Sequence, residues 1–433
     1  MNKILLLPIL LIILMIITGC PGEQELPRDD QETETAGGDT KDDDADTPET
    51  ETGSETPVPA DSGEAEKQPL TLTFVGDIIA HEPNYTTDDY SRIYAGLNGM
   101  LLNDDLTFGN IEYPMVPEKP QASFPIFNIY PEYTRAAAEA GVDVFSLANN
   151  HTLDQGEKGA LRTREVMEQI IAEADRPLYA SGVRAAGEEL FIPASIEYKG
   201  WKIGFLAITQ FTNIAPDQGS VTDYLYLVDR SNRDEFLTRL AEITPEYDLF
   251  VLSYHGDMVE EYVFKPHPDK EEFFRDSLEA GVDIVYGHHP HVLQPYEVIE
   301  TDGNHRLVLY SVGNFISGQG FLVHHTEPDP TDSWAYTHDS AVFTVTVTEQ
   351  NGKPHVTGVE PLLIGNYIVG YDPPDKAVLI YPLEQLTLMD INPKWKDYYR
   401  ERYKIMSRFI SDNRHYTTIE YESREPEVVS ENP

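Results

Sequence analysis

A single cysteine, Cys20, stands in 433 residues, so the chain can close no internal disulfide and offers no thiolate set for a metal. Basic residues are scarce: 31 Lys and Arg against 75 Asp and Glu leave a formal net charge of −44. A field of that sign excludes nucleic acid or an anionic membrane surface as the main contact. It also repels a polyanionic substrate unless metal ions or a local basic patch offset it. Long apolar runs are absent after Ile4 to Ile17, and that run is shorter than the roughly 20 residues a bilayer-spanning helix needs. Stability must therefore come from core packing, for which 433 residues at 40% hydrophobic composition suffice to build one large core or two smaller ones.

What is present begins with Met1-Asn2-Lys3, the apolar run, and Ile17-Thr18-Gly19-Cys20. A basic start, a short apolar region and a small-residue pair before cysteine form the pattern of a processed bacterial lipoprotein precursor. The expectation is a signal peptide over 1–20, acylation of Cys20, and a lipid anchor holding the rest on the extracytoplasmic face of the cell membrane. An uncleaved N-terminal anchor would place it on the same side. Residues 21–68 are acidic, with almost no large apolar side chain, as in Asp42-Asp43-Asp44-Ala45-Asp46. Such a segment cannot bury enough apolar surface to offset its ordering entropy, and reads as a disordered tether. Residues 420–433 read as a second disordered tail.

From Leu70 onward, short apolar runs alternate with helical stretches. The pattern predicts strands at Leu70–Val75, Val142–Leu147, Lys202–Ile208, Leu249–Ser253, Ile284–Tyr286, Leu307–Ser311 and Ala341–Val347. Helices are predicted over Pro131–Ala140, Lys158–Ala174, Arg233–Ile243 and Lys270–Ala280, and later over Pro393–Ile410. The alternation indicates an α/β domain with a layered sheet, placed at 69–365 and followed by a C-terminal extension over 366–419. The extension's aromatic helix, with Trp395, Tyr398, Tyr399 and Tyr403, reads as an element packing on the main domain, with a glycan or partner surface as the alternative. Ala140-Gly141-Val142-Asp143 and Ala280-Gly281-Val282-Asp283 each end a helix and begin a strand, and read as turn chemistry rather than a repeat.

Several predicted strands run directly into phrases rich in metal-ligating side chains. These are Gly76-Asp77, Asn149-Asn150-His151, His255-Gly256-Asp257, His288-His289-Pro290-His291 and Gly313-Asn314-Phe315. In α/β sheets, ligands gather beyond the carboxyl ends of strands, so phrases distant in sequence would converge on one rim. Imidazoles mixed with carboxylates hold divalent first-row metals, and two ions about 3.5–4 Å apart can activate water and stabilise a leaving oxygen. Singly, each phrase has a bland reading: a turn at Gly76-Asp77, a helix cap at Asn150, a core histidine at His255, a surface loop at His288–His291, a strand terminus at Gly313–Phe315. Together the bland readings need five separate coincidences at strand ends. Asp154, three residues past His151, suits a partner orienting that imidazole. His324-His325 reads as a solvated loop, and Glu112 follows no strand that periodicity alone reveals.

In this order the phrases resemble the CapA family of poly-γ-glutamate (capsule) biosynthesis proteins, which are similar to calcineurin-like metallophosphoesterases. The likeness runs from Thr71 to Phe315 through Val75-Gly76-Asp77, Gly109-Asn110-Ile111-Glu112, Ala148-Asn149-Asn150-His151-Thr152-Leu153-Asp154-Gln155-Gly156, His255, Gly287-His288-His289-Pro290-His291-Val292 and Tyr310-Ser311-Val312-Gly313-Asn314-Phe315. It implies a four-layer metallophosphoesterase-like sandwich, two facing mixed sheets flanked by helices. It also implies divalent ions, two of them and of the Mn, Fe, Zn or Mg kind, held by Asp77, Glu112, Asn150, His255, His289 and His291. His151 falls at the family's catalytic histidine, with Asp154 beside it, while His288 precedes the family's His-Pro-His phrase. The family's His-Trp-Gly is here His255-Gly256-Asp257, and the arginine that often follows its first motif is replaced by His81, so substrate contacts do not carry over.

The resulting expectation is a surface lipoprotein of capsule or poly-γ-glutamate production with a metal-dependent hydrolase site for a phosphoester or an anionic polymer. The alternative is a non-catalytic assembly or export subunit bound to membrane subunits of a polymer synthase. A solute-binding lipoprotein would fit the anchor but leave the histidines idle.

Overall fold

The computed structural model describes residues 66–185, 187–216, 221–223, 230–257, 261–301, 303–319, 328–369 and 377–418. Cys20, the signal sequence, the tether up to residue 65, His324-His325 and the 420–433 tail lie outside the described residues.

Fifteen strands among the described residues form two sheets: β1 Leu70–Ile78, β2 Leu106–Ile111, β3 Val144–Ser146, β4 Tyr179–Ser181, β5 Ala194–Tyr198, β6 Trp201–Thr209, β7 Leu249–His255, β8 Ile284–His288, β9 Tyr296–Thr301, β10 Asn304–Leu309, β11 Asn314–Ile316, β12 Asp339–Gln350, β13 Lys353–Val369, β14 Ala377–Pro382 and β15 Arg414–Thr418. The first sheet runs β14-β13-β12-β1-β2-β3-β4, with β11 also paired to β1, and the second runs β15-β9-β10-β8-β7-β6-β5. Both are mixed: β1 to β4 are parallel in one and β6, β7, β8 and β10 in the other, with antiparallel neighbours at β12 to β14, at β9 and at β5.

Side chains alternate across a strand, and each sheet here is apolar on both faces. Leu72 and Phe74 of the first sheet share one cluster with Ile203, Phe205, Val251 and Tyr286 of the second. Phe74 stacks on Phe108 at 4.9 Å, and Tyr286 meets Phe74 edge-on at 5.2 Å. The opposite face of the first sheet packs on helices Pro131–Ala140 and Gly156–Glu173 through Tyr133, Ala137, Val166 and Ile170. That of the second packs on Arg230–Ile243 and Pro268–Glu279 through Phe236, Leu240, Phe273 and Phe274. The result is the four-layer α/β sandwich of helices, sheet, sheet and helices. Each fully buried aliphatic or aromatic side chain contributes about 1.5–3 kcal/mol, so the inter-sheet layer is a large part of what holds the fold.

An aspartate just before each of four parallel strands clamps the neighbouring strand. Thr71 N–H donates to Asp105 at 2.8 Å, Thr107 N–H to Asp143 at 2.8 Å, Lys202 N–H to Asp248 at 2.8 Å and Phe250 N–H to Asp283 at 2.9 Å. Two of these aspartates belong to the paired Ala-Gly-Val-Asp phrases, whose Gly141 and Gly281 sit at φ 124° and 101°, conformations that favour glycine at a helix end. The clamps fix register at the ends of the strands opposite the polar rim.

The expected boundary at residue 365 falls inside β13, and the chain beyond that strand adds β14 to the first sheet and β15 to the second. Helix Pro393–Asp412 buries Tyr398, Tyr399, Arg402 and Met406, and the Arg402 guanidinium pairs with Asp339 where both are fully buried. The aromatic stripe is therefore packing surface. No helix among the described residues is long and apolar enough to cross a membrane.

Candidate metal centre

The rim is assembled where β1 breaks its own regularity. Between Phe74 and Asp77 the register of β1 against β2 shifts, and β1 exchanges β12 for β11 as a neighbour. Gly76 permits this, because a Cβ there would collide with the Gly313 carbonyl, which instead accepts the Asp77 N–H at 2.9 Å. The Gly76-Asp77 and Gly313-Asn314 phrases are thus locked side by side.

Around them the other phrases converge. Asn110 lies in β2 and Glu112 one residue past its end, Asn150 and His151 follow β3, His255 ends β7, His288 ends β8, and His289 and His291 occupy the turn beyond. Asp77, Glu112, Asn150, His255, His288, His289 and His291 are all at most 2% exposed. His288 Nδ1 lies 2.7 Å from Asp77 Oδ1, which also accepts from Asn110 at 2.9 Å. His291 reaches Asp77 Oδ2 at 3.3 Å and Glu112 Oε1 at 3.6 Å, while His255 Nε2 is 3.0 Å from Asn150 Oδ1 and 3.8 Å from Glu112. His289 and His291 have positive φ, 96° and 58°, on either side of Pro290. Non-glycine residues in that region cost of order 1–3 kcal/mol each and persist where the surroundings over-determine them.

Burial would raise the Asp77 carboxyl, but the charges of His288 and His291 and the His288 hydrogen bond hold it well below the usual range. Burial pushes Glu112 well above it, with His291 opposing. Burial keeps His255 and His289 well below the ordinary imidazole value, in the neutral form that ligates metals. Burial opposes protonation of His291 too, yet Glu112 and Asp77 carry it up to about 10.

These residues fit a divalent cation. Asp77 Oδ2, Glu112 Oε1, His288 Nε2 and both ring nitrogens of His289 are buried without a hydrogen bond. Buried polar atoms are ordinarily satisfied, and orphans of this kind gathered in one place are the donor set of a hard-to-borderline metal ion. Two groups have ligand atoms all within 4.8 Å of one another: Asp77, Glu112 and His291, and Glu261, His289 and His291.

Over this floor opens a cleft of about 380 Å³, walled by His81, Phe124, Phe127, Tyr262, Gln319 and Trp334, with Glu112, His151 and His291 at its base. His151 Nδ1 is 2.7 Å from Asp154 Oδ2, which also accepts the Phe127 N–H at 2.7 Å, and the His151 ring packs edge-on against Phe127. His81 faces the cleft but accepts from the Gly318 N–H at 3.3 Å, as a wall residue rather than a member of either ligand group.

The sequence reading omitted Asn110, Asn314 and Glu261 and set His288 aside. Asn314 Oδ1 is 3.1 Å from His291 Nδ1, and its amide donates to the Thr337 carbonyl. Asn110 and Asn314 stood within quoted phrases, so their signal was present. Glu261 stood beside Tyr262 where the family has a Glu-Tyr pair after its His255 phrase, but it follows no strand end, and nothing in the pattern marked it as a ligand.

The family model described as bacterial capsule synthesis protein PGA_cap matches residues 71–319, more than half of the chain. The capsule biosynthesis protein CapA of Bacillus anthracis is 31% identical over 291 residues, 64% of this chain and 64% of that protein. The PGA biosynthesis protein CapA of Bacillus subtilis (strain 168) is 25% identical over 279 residues, 63% of this chain and 66% of that one. The chain thus spans just under two thirds of either relative's length. Among solved structures, the calcineurin-like phosphoesterase YfkN from Bacillus subtilis aligns at a TM-score of 0.34 and 11% identity, over 79% of this chain and 99% of that one. On the family match, whose span takes in every phrase that meets at the rim, this chain belongs to the bacterial capsule synthesis protein family PGA_cap.

Proposed function

We propose that this protein is a lipid-anchored, extracytoplasmic metal-dependent hydrolase of capsule or poly-γ-glutamate production, cleaving a phosphoester or an amide bond of an anionic polymer. The observation that carries the reading is the set of orphaned buried atoms on Asp77, Glu112, His288 and His289, of which Glu112 opens with His291 and His151 onto a cleft. Asp77, Glu112, Asn150, His255, His289 and His291 would hold the ions, with His288 bracing Asp77. Divalent ions bound there would supply positive charge that offsets the acidic field and polarises a substrate oxygen.

The chain's own groups supply the rest. His151, at the base of the cleft, is placed to hand a proton to a leaving oxygen or nitrogen, and Asp154 fixes its orientation. Phe127 packs edge-on against the His151 ring, and Phe124 and Trp334 line the same cleft. Acylated Cys20 and the acidic tether would hold this cleft away from the membrane, near the membrane subunits of a polymer synthase.

The test is elemental mass spectrometry of the full-length protein and its His291→Ala variant, followed by assays on phosphoesters and poly-γ-glutamate. About two equivalents of metal, lost in the variant together with turnover, support the reading. Metal without turnover on either substrate class, or no metal after loading, would move the assignment to a non-catalytic assembly subunit. A Cys20→Ala variant released from the membrane fraction supports the anchor, and one that stays bound argues against it.

A further inference from the structure

The two ligand groups differ in a way the metal-dependent reading does not require. Asp77, Glu112 and His291 are all buried, whereas Glu261 is exposed and meets buried His289 and His291 from outside the sheets. Glu261 reaches that position because the next residue, Tyr262, donates its backbone N–H to the Pro290 carbonyl at 2.9 Å. Pro290 is the residue between the two histidines, so the Glu261 backbone is pinned to the turn that carries its partners. Tyr262 adopts φ 62° to make this contact, a left-handed conformation uncommon for a tyrosine. His289 is 1% exposed and neither ring nitrogen has a hydrogen-bond partner, although an unsatisfied buried polar group costs about 1–3 kcal/mol. An imidazole held in that state, with a carboxylate within 4.8 Å, is half of a cation site.

We propose that Glu261 is a ligand of an outer, exchangeable metal position formed with His289 and His291, distinct from an inner position held by Asp77 and Glu112. The inference rests on the metal-binding reading and adds an inequality to it. His291 is common to both groups; Asp77 and Glu112, both buried, belong to the inner one alone, and Glu261, which faces solvent, to the outer one alone. The inner ion leaves only if buried carboxylates are uncovered. The outer ion leaves when Glu261 swings into water, so its occupancy follows the metal supply around the cell surface.

The experiment is calorimetric titration of Mn²⁺ into chelator-stripped full-length protein, its Glu261→Gln variant and its Asp77→Asn variant, with circular dichroism confirming fold. The wild type should bind two ions with unequal affinities. Glu261→Gln should weaken the looser site at least tenfold and leave the tighter within twofold, and Asp77→Asn should remove the tighter. Two unchanged sites in Glu261→Gln, or loss of the tighter one, would overturn the inference while leaving the metal-binding reading intact. A wild type that takes up no ion overturns both.

Discussion

His288 Nδ1 stands 2.7 Å from Asp77 Oδ1, and the contact joins the end of β8 in one sheet to β1 in the other. The histidine that sequence comparison set aside is therefore the one most tightly engaged with the first carboxylate of the rim. Its role is to hold Asp77 ionised and aimed inward. His288→Ala should lower affinity at the tighter metal position on the order of 10- to 100-fold, the usual cost of removing a group that orients a ligand. Metal titration checks this, and an unchanged affinity would reduce the contact to a structural one.

Tyr286, two residues earlier on β8, donates its hydroxyl to the Val75 carbonyl at 2.6 Å across the inter-sheet layer, at the bulge that turns Asp77 into the rim. Tyr286→Phe keeps the ring and its contact with Phe74 but strands the carbonyl in an apolar layer. The expected loss is about 1–3 kcal/mol, read as a lower urea midpoint in chelated protein. An unaltered midpoint would mean that the carbonyl finds another donor.

How much of this was legible in the sequence depended on which physical rule set each element. β7 and β8 open on unbroken apolar runs, Leu249–Leu252 and Ile284–Tyr286, β1 alternates Leu and Thr before Phe74 and Val75, β6 carries Phe205–Ile208, and the long helices showed themselves by period. β2 did not, because Thr107, Gly109 and Asn110 interrupt its run. Each serves a different purpose: Asn110 donates to Asp77 at the rim, a Cβ on Gly109 would crowd Val142 and Val75 at 3.2 Å, and the Thr107 N–H takes the Asp143 clamp at the other end. β8 was expected to end at Tyr286, yet it runs on to His288, which is why the first histidine points to Asp77 while the next two enter the turn. The second sheet was hidden for another reason. Periodicity reports burial, not partner, and β6 to β8 look the same in sequence whether they extend the first sheet or face it.

The short contact between His151 and Asp154 predicts a separation of chemistry from metal binding. His151→Ala should retain metal content and, if a phosphoester or polymer substrate is found, lose about 10²- to 10⁴-fold in kcat, the range general acid catalysis supplies. Asp154→Asn should lose less in kcat but shift the pH profile, because an amide cannot hold the imidazolium as a carboxylate does. A His151→Ala variant with wild-type turnover would remove the histidine from the mechanism.

Asp283 supplies a pH test remote from the metal centre. Burial pushes its carboxyl up to about 7, against the opposing pull of Arg306 and of the Phe250 N–H. In the unfolded chain an aspartate titrates near roughly 3.9. Between these values the folded state holds a proton that the unfolded state has released. This group's contribution is therefore fully present below about pH 4 and is lost as pH rises through about 7. Asp283→Asn stays neutral throughout and can still accept from Phe250 through its carbonyl oxygen. Relative to wild type, the variant should gain stability steadily from pH 4 to 7, with a higher urea midpoint at pH 8 than its ranking at pH 4.5 implies. Both chains should be chelated, so that metal release by the histidines does not enter and their own titration cancels in the difference. A variant whose midpoint runs parallel to wild type across that window would show that Asp283 stays ionised in the fold, with Arg306 compensating for its burial.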